Sequence, residues 1–225
     1  MGEEYKKFLE KDNKDTNFLE NHETPIRDDA FLISDEKKID KIEKHFFHIM
    51  EILGLDMNDD SLRSTPKRVA KMFIKEIFSG LNPKNHPHLS TFENKYKYNQ
   101  MLIEKNIIVY STCEHHFLPI VGKAHVGYIS NGKVVGLSKI NRIVNFYAKR
   151  PQVQERLTMQ IVKSLQKILD TKNVACVIDA KHLCVNSRGI RDIDTRTITT
   201  ELVGAFKKIR NSKRIFPLYW KILIL

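Results

Sequence analysis

Residues that could hold a metal ion and move protons occur in two short clusters. The first reads Ser-Thr-Cys-Glu-His-His at residues 111–116, and the second reads His-Leu-Cys at residues 182–184. Zinc prefers cysteine sulfur and histidine nitrogen, and three protein ligands leave a fourth position open for water. A structural zinc site would use four ligands, commonly in two close pairs. Because the clusters offer one close Cys-x-x-His pair and one distant cysteine, the ligand count favours an open, catalytic site if a metal binds.

Cys113, His116 and Cys184 form the candidate ligand set, and His115 and His182 would then stand beside the metal. An imidazole titrates near neutrality, so these two histidines could give and take protons. A second interpretation is equally compatible with so short a pattern. In that interpretation the thiols are ordinary buried side chains and the histidines are hydrogen-bonded core residues.

The composition indicates a soluble protein with an anionic partner. The chain has 225 residues, a net charge of +11 and only three cysteines, which is typical of a reducing compartment. Its N-terminus lacks the apolar core of a signal peptide, and no apolar run approaches the roughly 20 residues that span a bilayer. We therefore expect a cytoplasmic protein. Residues 1–36 carry a charge of −6 and the remainder carries +17, which suits a nucleic acid, a phosphorylated small molecule or an acidic surface.

The order of predicted elements indicates an α+β fold. Ser34 is a predicted cap for a helix over residues 35–53, and Pro66 opens a second helix that ends near Gly80. Further along, two strands are followed by two helices and then by two more strands. This order predicts a four-stranded antiparallel sheet with two antiparallel helices packed on one face.

The same features divide the chain into four predicted regions. An acidic, flexible arm is followed by a helical region, a catalytic domain and an apolar tail, at residues 1–33, 34–100, 101–212 and 213–225. The tail is too short to span a membrane. We expect the tail to pack on the body or on a partner subunit, because an exposed apolar patch of this size would promote association.

Five sequence motifs, taken together, resemble those of the GTP cyclohydrolase I family. They occur in the family's order and at its spacing, and the resemblance covers about residues 36–212. The motifs are SLRSTPKRVAKM at 61–72, STCEHH at 111–116, GLSKINRIV at 136–144, RPQVQERLT at 150–158, and HLC at 182–184 followed by RGI at 188–190.

This resemblance implies a fold, an assembly and a reaction. The fold would be the tunnelling fold, in which the sheet and its two helices join those of other subunits into a ring-like barrel. The assembly would be a homodecamer of two stacked pentamers, with active sites between subunits. The enzyme would hydrolyse GTP to 7,8-dihydroneopterin triphosphate and formate, the first step towards folate or tetrahydrobiopterin.

The resemblance also implies roles for individual residues. Cys113, His116 and Cys184 would bind Zn²⁺, which lowers the pKa of a bound water to about 7. His182 would be the general acid/base for opening the guanine ring at C8, and His115 would assist it.

Substrate-binding roles follow from the same resemblance. A carboxylate can accept the adjacent N–H donors of guanine, and Glu155 would be this guanine-reading residue, with Gln154 beside it. The triphosphate needs a cationic site, and the residues implied for it within the subunit are Ser138, Lys139, Arg142 and Arg188. Arg68 and Lys71 would reach the triphosphate from a neighbouring subunit.

Three alternatives remain at this point. A nucleic-acid-binding protein with a structural zinc would fit the charge, but the sequence has no Cys/His quartet and no recognised aromatic-basic stacking motif, so we expect neither nucleic acid nor membrane as a partner. A different tunnelling-fold enzyme would use Cys113 as a covalent nucleophile activated by His115. An inactive scaffold would have lost family positions, yet all of them carry the expected residue type.

Overall fold

The computed structural model describes residues 23–88 and 90–210, and it divides at Asn82/Pro83 into two compact units. The predicted apolar tail and the first 22 residues of the predicted arm lie outside the described residues. The four-region division of the chain therefore stays a prediction. Every helix in the described ranges is too short or too polar to cross a lipid bilayer.

The first unit is helical. Helix α1 spans Asp35–Ile52, and Ser34 caps it by accepting a hydrogen bond from the backbone N–H of Lys37 at 3.3 Å, as predicted. Gly54 ends the helix with a positive φ of 80°, and Leu55 N–H bonds back to Met50 C=O. Helix α2 spans Thr65–Met72 and continues through a wider turn over Phe73–Ile77.

The second unit contains the remaining strands and helices. In chain order they are β1 Thr91–Glu93, β2 Met101–Cys113, β3 Pro119–Ile129, β4 Lys133–Val135, α3 Leu137–Ala148, β5 Pro151–Gln152, α4 Gln154–Leu169, β6 Val174–His182, α5 Leu183–Asn186, β7 Thr197–Leu202 and α6 Ala205–Arg210. The predicted α+β class is confirmed.

The main sheet has five strands in the order β5-β2-β3-β6-β7. The four long strands β2, β3, β6 and β7 pair antiparallel, as the sequence predicted. The fifth strand, β5, was not predicted and pairs parallel with the last two residues of β2. Pro151 and Gln152 are extended, and α4 begins only at Gln154.

The core lies between one face of this sheet and the helices α3 and α4. On β2, Ile107 and Val109 are buried, whereas the alternating residues Ile108 and Tyr110 are 62% and 66% exposed. The buried face packs against the apolar side chains of both helices, such as Ile140 and Leu157. This arrangement follows from the period of two along a strand and 3.6 along a helix.

A short strand that the sequence did not predict, β1, lies shortly before β2. Strand β1 pairs antiparallel with β4, and Phe92 lies opposite Val134. All three residues of β1 are exposed, so the stretch carried no apolar alternation from which a strand could be predicted.

Candidate functional site

The turn between β2 and β3 carries two of the predicted metal ligands. Cys113 is the last residue of β2, and its backbone N–H donates to Leu118 C=O at 2.8 Å. Phe117, with a φ of 53°, donates back to Cys113 C=O at 2.9 Å. These two bonds close a tight turn that presents His115 and His116 to solvent.

Strand β3 brings the second cluster to the same end of the sheet. It begins at Pro119, directly after the turn, and its second residue, Ile120, lies opposite His182 at the end of β6. The chain then enters the short helix α5, which carries Cys184. As a result, the ligand atoms of Cys113, His116 and Cys184 all lie within 4.8 Å of one another.

The geometry and chemistry of this group fit a metal ion. A tetrahedral ion with ligand bonds of about 2.3 Å separates its ligand atoms by about 3.7 Å. Cys113 Sγ and His116 Nδ1 lie 4.0 Å apart. Burial raises the pKa of the Cys184 thiol, the neighbouring Cys113 thiol adds to this rise, and the positive charge of Arg188 opposes it. A bound cation would offset this penalty by stabilising the thiolates.

One predicted proton carrier contacts this group, and the other precedes Cys184 by two residues in the chain. His115 Nδ1 is 3.9 Å from Cys113 Sγ, and the ring is exposed. His182 precedes α5, and its Nε2 lies 2.8 Å from Gln154 Oε1. Burial lowers the pKa of His182, and the negative charge of the exposed Glu155 opposes this effect. The structure therefore brings the guanine-reading candidate near the acid/base candidate.

Gln154 is placed differently from an exposed substrate contact. Its side chain is 1% exposed. Its amide nitrogen lies 3.0 Å from Ile178 C=O, 2.9 Å from Thr197 C=O and 3.1 Å from Thr199 Oγ1. The predicted contact of Gln154 with guanine is not tested by these bonds and stays a prediction.

A partly buried ion pair that sequence reasoning missed ties the turn to helix α4. Arg156 donates to the carboxylate of Glu114, and its Nε donates to Gln152 Oε1 at 3.0 Å. Gln152 C=O accepts the backbone N–H of Glu114 at 3.1 Å. Glu114 Oε1 also lies 4.0 Å from His115 Nε2. The only signal in the sequence was that both charged residues stand inside the quoted motifs.

The candidate phosphate contacts form two groups. Arg188 follows α5 and is close enough to Cys184 to affect its pKa. Ser138, Lys139 and Arg142 lie on the first two turns of α3, where Lys139 Nζ donates to His88 C=O at 3.3 Å. Helix α3 has 12 residues and is therefore about 18 Å long.

The second group lies on the N-terminal half of α3. Strand β5, which pairs with Thr112 and Cys113, follows the C-terminal end of α3. Ser138 and Lys139 stand at the opposite end of the helix. The remaining candidates, Arg68 and Lys71, are exposed on α2 in the first unit.

Comparison with known proteins gives a consistent result. The family model described as GTP cyclohydrolase I matches residues 42–218. The chain belongs to the GTP cyclohydrolase I family. A relative named GTP cyclohydrolase 1 from Flavobacterium johnsoniae is 64% identical over 208 residues, which cover 92% of this chain and 93% of the relative.

More distant members of the family agree. Relatives with the same name from Citrobacter koseri and Yersinia enterocolitica are 52% and 51% identical over 194 residues, covering 86% of this chain and 87% of each relative. The resemblance seen in the sequence motifs is thereby confirmed. The family match also includes the motif at 61–72, which carries Arg68 and Lys71.

Proposed function

We propose that this protein hydrolyses GTP at C8 of guanine, releases formate and forms 7,8-dihydroneopterin triphosphate, the first step of folate or tetrahydrobiopterin biosynthesis. Family membership and the names of the relatives support the substrate and the reaction. The observation that carries the proposal is the convergence of Cys113, His116 and Cys184 at one end of the sheet, where β6 ends at His182, two residues before Cys184. A hydrolase of this kind needs such a metal group next to a proton carrier.

The resident metal in this proposal is Zn²⁺, held by Cys113, His116 and Cys184. Two sulfurs and one imidazole nitrogen suit zinc better than the oxygen-preferring Mg²⁺ or Ca²⁺. When bound, zinc with three protein ligands supplies a Lewis acid with one open position and lowers the pKa of water there to about 7.

The proton transfers are assigned to two histidines of the chain. Opening the imidazole ring of guanine at C8 builds electron density on N7, which must receive a proton. His182 is assigned that transfer because it is half-buried at the end of β6, two residues before Cys184. His115 is exposed on the turn and is assigned the assisting role, since its Nδ1 is 3.9 Å from Cys113 Sγ.

Glu155 is assigned the recognition of the guanine base. Guanine presents adjacent N–H donors at N1 and the 2-amino group, and a carboxylate accepts both through charge-assisted hydrogen bonds. Glu155 stands in the first turn of α4, is exposed, and is close enough to His182 to oppose the fall in its pKa. Adenine lacks this donor pair, so ATP would be rejected strongly.

The triphosphate is assigned to Arg188 from one subunit and to cationic residues of other copies. Ser138 and Lys139 lie about one helix length from β5, which supports a site completed by α3 of a second copy. Arg68 and Lys71 are assigned to a neighbouring subunit as well. This arrangement agrees with a homodecamer of two pentamers in the tunnelling fold, located in the cytoplasm.

The test is incubation of the zinc-loaded protein with GTP, with detection of the fluorescent pterin after oxidation and dephosphorylation. We expect turnover of GTP and none of ATP, and metal analysis should find one zinc per protomer. Cys184→Ser should lose the metal, whereas His182→Ala should retain it and lose ring opening. Absence of turnover by the zinc-loaded wild-type decamer would refute the proposal.

A further inference from the structure

The side chain of Gln154 makes more internal hydrogen bonds than a substrate contact would need. Its amide nitrogen faces two backbone carbonyls, those of Ile178 on β6 and Thr197 on β7, at 3.0 and 2.9 Å. Carbonyl oxygens only accept hydrogen bonds, and an amide nitrogen has two hydrogens to donate. Both hydrogens are therefore used inside the protein.

Two threonines reinforce this orientation. Thr158 Oγ1 donates its one hydrogen to Gln154 C=O at 2.8 Å. The hydroxyl of Thr199, 2.6 Å away, must then donate to Thr158 Oγ1. Thr199 Oγ1 keeps its lone pairs towards the amide nitrogen of Gln154, at 3.1 Å. Every partner on this side of the amide is thus an acceptor.

The amide oxygen consequently faces His182. A flipped amide would place Oε1 against the carbonyls of Ile178 and Thr197 inside the core, where unpaired acceptors are costly. Oε1 can only accept, so the hydrogen of its 2.8 Å contact must come from Nε2 of His182. In a neutral imidazole, a hydrogen on Nε2 leaves the lone pair on Nδ1.

We infer that Gln154 is a positioning residue that fixes the ring orientation and the Nε2–H tautomer of His182, so that Nδ1 is the nitrogen that exchanges protons with the substrate. The inference rests on the proposed function and adds to it. It assigns the proton transfer to one atom and gives Gln154 a role through His182. If the Gln154 side chain were exposed, its amide could rotate and would present no fixed acceptor to the His182 ring, so it would not impose this tautomer.

The kinetic test compares Gln154→Met with wild type on the zinc-loaded protein. Methionine has a similar length and no acceptor for Nε2–H. We expect kcat to fall about 100-fold, the size of a general acid/base contribution, while KM for GTP and the zinc content stay within about threefold. Gln166→Met is the matched control, because Gln166 lies on the same helix and its side chain donates to Lys172 C=O at an exposed position. Its kcat should equal that of wild type.

A rescue variant separates positioning from packing. Gln154→Glu keeps an oxygen that can accept from His182 Nε2–H, although it loses donors to the two carbonyls. We expect its kcat to exceed that of Gln154→Met by about tenfold or more at 25 °C. A higher KM with unchanged kcat in Gln154→Met would overturn the inference and favour direct contact with guanine.

A spectroscopic test does not depend on turnover. Solid-state NMR of protein labelled with ¹⁵N-histidine, with the His182 signal identified from a His182→Asn difference spectrum, should show hydrogen on Nε2 and none on Nδ1 in the neutral ring. Hydrogen on Nδ1 would overturn the inference even if Gln154→Met failed to fold. If the wild-type protein did not convert GTP but His182 showed the Nε2–H tautomer, the proposed function would fail while the positioning by Gln154 stood.

Discussion

Replacing Arg156 with methionine should destabilise the protein because it leaves two polar groups without their partner. The side chains of Arg156 and Glu114 are 11% and 27% exposed. Breaking a fully buried pair costs about 3–5 kcal/mol and an exposed pair about 0–1 kcal/mol, so this partly buried pair should contribute about 2 kcal/mol. The orphaned Gln152 oxygen, on a residue that is 0% exposed, should add about 1 kcal/mol.

The assay is urea unfolding at a fixed protomer concentration, since assembly changes the apparent stability. Arg156→Met should lower the free energy of unfolding by about 3 kcal/mol. Arg196→Met is the matched control, because Arg196 pairs with Asp179 at 2.8 Å while 43% exposed, and it should lose less than about 1 kcal/mol. Equal losses in the two variants would refute the reasoning.

Arg156→Met should also weaken metal binding by Cys113, His116 and Cys184. Arg156 holds the turn that carries His116 through its ion pair with Glu114. Mutation of residues that orient metal ligands typically lowers metal affinity about 10–100-fold. A double-mutant cycle with Glu114→Gln should give a coupling energy of about 2 kcal/mol if the ion pair is the cause.

Three further outcomes are expected. Glu155→Gln should abolish GTP turnover with zinc retained, and surviving selectivity for GTP over ATP would remove Glu155 from its role. Burial lowers the pKa of His125 below its usual 6.5, and its Nδ1 accepts Asn106 N–H at 3.4 Å, so the folded state binds this proton less readily than the unfolded chain. The free energy of unfolding should therefore reach its highest value above pH 6.5 and decrease as the pH falls below 6.5. His125→Gln should reduce this dependence of the unfolding free energy on pH, measured by urea titrations at several pH values. Gly122→Ala should lower the free energy of unfolding by about 1–3 kcal/mol or more, because a Cβ there would lie 2.2 Å from Asp179 O; an unchanged free energy of unfolding in urea would contradict the tight approach of β3 and β6.

Periodicity and residue chemistry were enough to predict α1 to α4 and the four long strands, but not the short helices α5 and α6. Ile107 and Val109 alternate with exposed neighbours, and an alternation of this kind can be recognised within a short stretch of sequence. The ligand set followed from residue types, and the structure brings the three residues together.

Contacts between distant segments could not be predicted in this way. Gln154 stands next to Glu155 in the first turn of a helix, where an amide is normally exposed. Its burial depends on the carbonyls of Ile178 and Thr197, which reach it only when β6 and β7 have packed on α4. The pair between Glu114 and Arg156 also joins residues far apart in the chain.

The position of β3 between β2 and β6 has a consequence for biosynthesis. Cys113 and His116 leave the ribosome well before Cys184, with α3 and α4 in between. A nascent chain that has emerged only as far as α4 offers two ligands, and the third arrives when β6 docks beside β3. Under the proposed function, tight zinc uptake should therefore be a post-translational event, and a bound ion would stabilise the strand register that brings the three residues together.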